Sequence, residues 1–193
     1  MEAVVIAAGE GRRLRPLTER WPKPVLPIDG KPVIATLLRE LEQAKLAAVT
    51  VVVGHLGDQI RRLLDGLDVR FAEQPEPLGS ADAVLRAVKA GAGAPFVVSA
   101  ADTVYSPGDV ARFVSEWGRS GAAGAMAAPL WGVGPELLAH LEGLPGPPFE
   151  LLEAFRRAGS DVTSLELGPL RQLTRPADVV IHNFVYLESN TDE

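Results

Sequence analysis

No cysteine occurs in the chain. Disulfides, thiol catalysis and cysteine-ligated metal sites are therefore excluded. No apolar run approaches the ~20 residues that a membrane-spanning helix requires, and no leader precedes the first strand pattern. The cytoplasm is the expected location, with no membrane partner. Basic residues are outnumbered: 19 Lys and Arg face 25 Asp and Glu, a net charge of −6. A general nucleic-acid binder would carry a basic surface, so nucleic acid is excluded as a partner. The histidines, His55, His140 and His182, are scattered without metal-ligand spacing, and surface or capping roles are expected of them. There is no internal repeat, low-complexity tract or domain linker.

What is present is an ordinary globular composition. It is 47% hydrophobic and 23% charged over 193 residues, which points to one domain with a sizeable core. Apolar and β-branched runs predict strands at residues 3–8, 49–53, 69–72, 96–100, 122–128 and 162–167, with a brief pairing at 25–28. Helical periodicity fills the intervals at 33–46, 56–67, 79–92, 107–119, 149–158 and 176–187. In the second of these helices Ile60, Leu63 and Leu64 should face inward. Trp21 should pack on the first loop, and Trp117 and Trp131 in a core or an interface. Alternating strands and helices predict an α/β fold. Three layers are expected, α/β/α, Rossmann-like, with a mostly parallel mixed sheet and helices on both faces. Ligands of such sheets bind beyond the carboxyl ends of the strands. The first loop, the segment 73–82 and Asp102 all fall at those ends.

The stretch Ala7–Pro32 carries the most chemistry. The first strand runs into Gly9 and Gly11, then Arg12, Arg13 and Arg15, then Lys23 between Pro22 and Pro24. Glycine lets backbone N–H groups approach an anion, and arginine and lysine supply charge for phosphate. A polyphosphate site is predicted. A Rossmann turn would need a third glycine and an immediate helix, but position 14 is leucine and prolines stand at 16, 22, 24 and 27. A Walker loop would need Ser or Thr after Gly30-Lys31, and Pro32 stands there. What remains is a long proline-stiffened loop, and loops of that length in compact domains are usually functional.

The run Gly9-Glu10-Gly11-Arg12-Arg13-Leu14-Arg15-Pro16-Leu17-Thr18, followed by Pro22-Lys23-Pro24, resembles the sugar-1-phosphate nucleotidylyltransferases, an NTP-transferase family. The resemblance implies transfer of a nucleoside monophosphate from a nucleoside triphosphate to a sugar 1-phosphate, giving an NDP-sugar and pyrophosphate with Mg2+. It implies that Ala8, Gly9, Gly11 and Arg13 bind nucleotide, with Arg13 and Lys23 as the catalytic cations. The segment Gln74-Pro75-Glu76-Pro77-Leu78-Gly79-Ser80-Ala81-Asp82-Ala83 is similar to the family's base-holding segment. Carried over, Gln74 reads the base edge, Gly79 lets the ring pack on bare backbone, and Ser80 stands where threonine is common. Gln74 leans toward uracil or thymine, hence UTP or dTTP. Asp102, after a buried strand, is the implied magnesium ligand.

The C-terminal part departs from the pattern. The family's second metal aspartate would stand at 172, where this chain has Gln172. Thr174, Pro176 and Asp178 match the rest of that motif, and Asp178 is expected to support the first turn of the last helix. Between Pro129 and Leu130 the chain omits the excursion that carries a sugar-holding Glu-Lys pair in the family. The expected organisation is a single nucleotidyltransferase domain over 1–193. It has a nucleotide half (1–105) and a shortened acceptor half (106–193). A homo-oligomer is a further expectation. Two alternatives stay open: a non-catalytic nucleotide-sensing or regulatory domain on the same fold, and a transferase acting on a polyol, inositol or choline phosphate.

Overall fold

The computed structural model describes residues 1–189, and residues 190–193 of the expected domain lie outside them. Its centre is a seven-stranded sheet. In chain order the strands are β1 (Glu2–Ala7), β2 (Val49–Val53), β3 (Val69–Glu73), β4 (Phe96–Ala100), β5 (Gly124–Ala127), β6 (Leu130–Val133) and β7 (Val162–Ser164). Their spatial order is β7-β5-β6-β4-β1-β2-β3. Pairs β1/β2, β1/β4, β2/β3 and β5/β7 are parallel, and β6 runs against both β4 and β5. The sheet is therefore mixed and mostly parallel.

The alternation along β1 sets two cores. Ala3, Val5 and Ala7 face one cluster with Val51 and Val53. Helices α1 (Val33–Gln43), α2 (Gly57–Leu63) and α4 (Asp109–Ser120) close that face with Ile34, Leu37, Leu41, Ile60, Phe113 and Trp117. Val4 and Ala8 face the other cluster with Val52, Phe96 and Val98. There α3 (Ser80–Lys89), α5 (Pro135–Glu142) and α6 (Leu151–Ala158) contribute Val84, Leu137, Leu141 and Phe155. Strands buried on both faces read as continuous apolar runs, as Val49-Thr50-Val51-Val52-Val53 does.

Several expected boundaries move. The helix expected at 56–67 is shorter, Gly57–Leu63, and Leu63 is 40% exposed while Ile60 and Leu64 are buried. Trp21 is 46% exposed rather than packed on the loop. The 25–28 pairing is limited to Pro27–Ile28 against Lys31–Pro32. The closing helix is broken into α7 (Pro176–Ile181) and α8 (Phe184–Ser189). Asn183 sits in the break, buried; its Oδ1 accepts from Gly30 N at 2.8 Å and its Nδ2 donates to Pro27 O at 2.8 Å. The expected strand 122–128 contracts to β5, and β5 and β6 join directly through Ala128-Pro129, with Ala127 facing Leu130.

Candidate functional site

The loop leaving β1 is made of three short 3-10 turns: Arg12–Leu14, Leu17–Glu19 and Lys23–Val25. Prolines 16, 22 and 24 prevent any of them from extending into an α-helix. Gly11 has φ +62, and a Cβ there would lie 2.8 Å from the methyl of Thr18. Thr18 is buried, and its hydroxyl donates to Gly11 O at 2.9 Å. Leu14, Leu26 and Ile28 form the underside and pack with Val33, Val104 and Leu173. Each such buried side chain contributes about 2 kcal/mol, so an irregular loop is held as firmly as a regular element.

Above the loop lies a cleft of about 280 Å³ at the carboxyl ends of β1 and β4. Its lining includes Gly9, Gly11, Arg13, Lys23, Asp102 and Thr174. The Lys23 ammonium contacts Asp102 Oδ2, with side-chain exposures of 15% and 23%. Arg12 and Arg15 turn instead to Glu10, at 2.7 and 3.7 Å. The Arg12 hydrogen bond, with the charges of Arg12 and Arg15, holds the Glu10 carboxyl below its usual range. Among the described residues no hydrogen bond or ion pair engages Arg13. Arg12 and Arg13 both line the cleft, but of the three neighbouring arginines only Arg13 has no carboxylate partner among the described residues.

Asp102 stands just past β4, before a short ribbon in which Thr103–Val104 pairs antiparallel with Arg171–Gln172. Gln172 lies opposite Thr103, and its Nε2 donates to Thr103 Oγ1 at 2.8 Å. Thr103 in turn donates to Asp102 Oδ1 at 3.4 Å. Asp178, in the first turn of α7, accepts from Thr174 N and Oγ1 and from Arg175 N at 2.7–2.9 Å. These donors push its carboxyl far below the usual range, Thr174 contributing most. The arrangement fixes Thr174 at the cleft wall.

The segment after β3 is closed from the other half of the chain. Gly79, at φ +110, passes so near Phe149 that any Cβ would run into its backbone. Phe149 N donates to Leu78 O at 2.7 Å, and Ala81 N donates to Phe149 O at 2.8 Å. The Ser80 hydroxyl contacts Glu150 and accepts from Leu151 N at 2.9 Å. Gln74 is buried, and its Nε2 donates to Gly79 O at 3.0 Å and to Asp82 Oδ2 at 2.7 Å. Both partners are acceptors only, so the amide must keep its NH2 inward and leave its oxygen as the remaining group. That oxygen has no partner among the described residues, yet it is not sealed from solvent.

Of the residues singled out by sequence, Gly9, Gly11, Arg13, Lys23 and Asp102 share the cleft. Ala8 is buried just behind it, with its carbonyl accepting from His55 N at 3.4 Å. Gln74, Gly79 and Ser80 stand together beyond β3, outside the cleft lining. Gln172 lies beside Thr103. Glu150 and Gly54 were not foreseen, and Thr18 and Thr174 were read only as positions of the resembled motifs. A Cβ at Gly54 would lie 2.8 Å from Gln74 O and 2.9 Å from Ala8 O, so this glycine lets the two loops approach. A lone glycine directly after the β-branched run of β2 was the available signal. Among the described residues no group of three or more His, Cys, Asp or Glu could hold a metal on its own.

The MobA-like NTP transferase domain family matches residues 3–166. The N-acetylmuramate alpha-1-phosphate uridylyltransferase of Neisseria meningitidis serogroup B is 39% identical over 110 residues, 54% of this chain and 48% of that protein. The UTP–glucose-1-phosphate uridylyltransferase AglF of Haloferax volcanii is 40% identical over 89 residues, 44% of this chain and 37% of that protein. The match spans about half, or less, of the length of these curated relatives. The solved UDP-glucose pyrophosphorylase from Acinetobacter baumannii superposes with a TM-score of 0.81 at 17% identity, covering 98% of this chain and 94% of that one; the two share the fold. The family match contains the loop of residues 9–25, the Gln74–Asp82 segment and Asp102. On that match the chain belongs to the MobA-like NTP transferase domain family.

Proposed function

We propose that the cleft transfers a nucleoside monophosphate from a nucleoside triphosphate to a sugar 1-phosphate, releasing pyrophosphate. The observation that carries this reading is the pairing pattern: among the described residues, Arg13 lines the cleft without a partner, beside Lys23 and a single carboxylate, Asp102. A phosphate oxygen of the acceptor attacks the α-phosphorus in line. A new oxygen–phosphorus bond forms as the bond to the β-phosphate bridge breaks, and pyrophosphate leaves with the electron pair. The nucleophile is already an anion, so catalysis is positioning and charge neutralisation. Arg13 steadies the β- and γ-phosphates, and the N–H groups around Gly9 and Gly11 lie along the same anion. Lys23 moves from Asp102 to the α-phosphate and the incoming phosphate.

The donor set fits magnesium. One carboxylate suffices where substrate phosphates complete the shell, and the contact of Asp102 with the Lys23 ammonium supports a carboxylate that is ionised toward the cleft. Asp102 would hold the ion, and Gln172 would add only an uncharged amide oxygen. When bound, the ion would supply Lewis-acid neutralisation of the nucleotide oxygens.

The orientation of Gln74 supports a base that brings a ring N–H to an acceptor, as uracil, thymine and guanine do. Together with the uridylyl transfer named for the relatives, this makes UTP or dTTP the favoured donor. The sequence relatives, whose names specify uridylyl transfer to N-acetylmuramate 1-phosphate and glucose 1-phosphate, support the same class. The test is product formation from four triphosphates against a panel of sugar and polyol 1-phosphates, with Gln172→Asp alongside. An NDP-sugar from a uracil or thymine nucleotide supports the reading. Nucleotide bound without product in both proteins would favour a sensor, the reading that Gln172 in place of a carboxylate supports.

A further inference from the structure

The phosphate loop is shaped from behind by two donors that do not touch the cleft. His55 Nε2 lies 2.8 Å from Thr18 O, and Gln59 Nε2 donates to Arg20 O at 2.8 Å. A carbonyl only accepts, so Nε2 of His55 carries the proton whatever the state of Nδ1. His55 lies in the turn before α2 and Gln59 in the first turn of that helix; between them stands Leu56, whose φ of +53 is unusual for a non-glycine residue. Leu56 turns the chain from β2 into α2, so that both side chains fall over the loop. Strain of this kind persists where the surroundings hold a functional geometry.

The contact is relayed inward by Thr18. Its carbonyl is held by His55, while its hydroxyl bonds Gly11 O and its methyl fills the space beside Gly11. Lys23 Cβ lies 3.5 Å from that same point. Gly11 and Lys23 line the cleft. A shift of Thr18 therefore moves two residues of the cleft wall, Gly11 and Lys23. His55 also anchors the loop's start, through its own N–H to Ala8 O.

We propose that His55 is a positioning residue for triphosphate binding, acting through Thr18 on Gly11 and Lys23, with Gln59 as a second support. The proposal rests on the reading of the cleft as a nucleotide site. It assigns His55 an effect on the phosphates alone, because Gln74 and its partners lie on a different segment.

Calorimetric titration of UTP and UMP, with magnesium, into the full chain tests it. His55→Ala should weaken UTP about tenfold and leave UMP within twofold. His55→Gln, whose amide NH2 extends to the position of Nε2, should restore UTP binding; His55→Asn, whose shorter side chain stops near Nδ1, should not. Gln59→Ala should show a smaller loss in the same direction, and it carries the test if His55→Ala fails to fold. Unchanged UTP affinity in His55→Ala, equal losses for UTP and UMP, or rescue by Asn as good as by Gln would overturn the proposal. Failure of the wild type to bind any triphosphate would overturn the nucleotide-site reading and this assignment with it.

Discussion

Two glycine-bearing loops leave the same, carboxyl end of the sheet and are finished in opposite ways. After β1, the space beside Gly11 is filled by a side chain of the loop itself, Thr18, and the loop leaves Arg13 unpaired over a cleft. After β3, the space beside Gly79 is filled by backbone from far along the chain, Phe149; Gln74 donates to Gly79 O and Asp82, Asp82 also accepts from Arg86, and Ser80 engages Glu150 and Leu151. The first loop is preorganised but electrostatically incomplete, which suits a multiply charged ligand that makes up the balance. In the second, the Gln74 amide nitrogen is fully engaged and its oxygen is left over, which suits a reader of a single base edge. Unpaired charge marks where a ligand's own charge is needed. Fully engaged donors mark a side chain whose orientation is set before the ligand arrives.

Lys23→Ala breaks the first loop most severely. Turnover should fall by about 10²-fold or more, the scale for removing a preorganised charge at a transition state. Asp102 keeps 23% of its side chain exposed and accepts a hydrogen bond from Thr103, so the variant should stay folded. Turnover within a few-fold of wild type would remove Lys23 from the mechanism.

Gly79→Ala separates the loops by stability. A Cβ there meets Phe149 backbone, which cannot move aside as a side chain can, and φ +110 is strained for alanine. A loss of about 1–3 kcal/mol is expected from the backbone strain alone, read as a lower denaturation midpoint. An unchanged midpoint would mean that the clasp between residues 78–81 and 149–151 adds little.

Asp82→Ala probes the second loop without touching the first. It removes one of the two acceptors that keep the Gln74 NH2 inward. Preference for UTP over CTP should drop about tenfold, the low end for a directed base contact, while Asp82→Asn, which keeps an acceptor oxygen, should retain it. Equal preference in all three proteins would show that Asp82 does not orient Gln74.

Much of this was legible in sequence because it depends on near neighbours. The β-branched run Val49–Val53 and the glycines and prolines of residues 9–27 specify a strand and a stiff loop without reference to the rest of the chain. What escaped depends on distant partners. The break between α7 and α8 is set by Asn183 answering Gly30 and Pro27, more than 150 residues earlier. His55 was read as a surface or capping residue because its partner, the carbonyl of Thr18, leaves no trace in side-chain pattern. The closure of Gly79 by Phe149 was invisible for the same reason, although the glycine itself marked a close approach. The outward face of Leu63 came from the early end of α2, where the apolar period continues past the helix.

The division of labour between the two loops can be measured directly by amide chemical shifts during separate titrations with tripolyphosphate and with uridine. The account predicts that tripolyphosphate perturbs Gly9, Gly11, Arg13 and Lys23, while uridine perturbs Gln74 and Gly79. The same set of residues responding to both ligands, or a phosphate loop indifferent to tripolyphosphate, would contradict it.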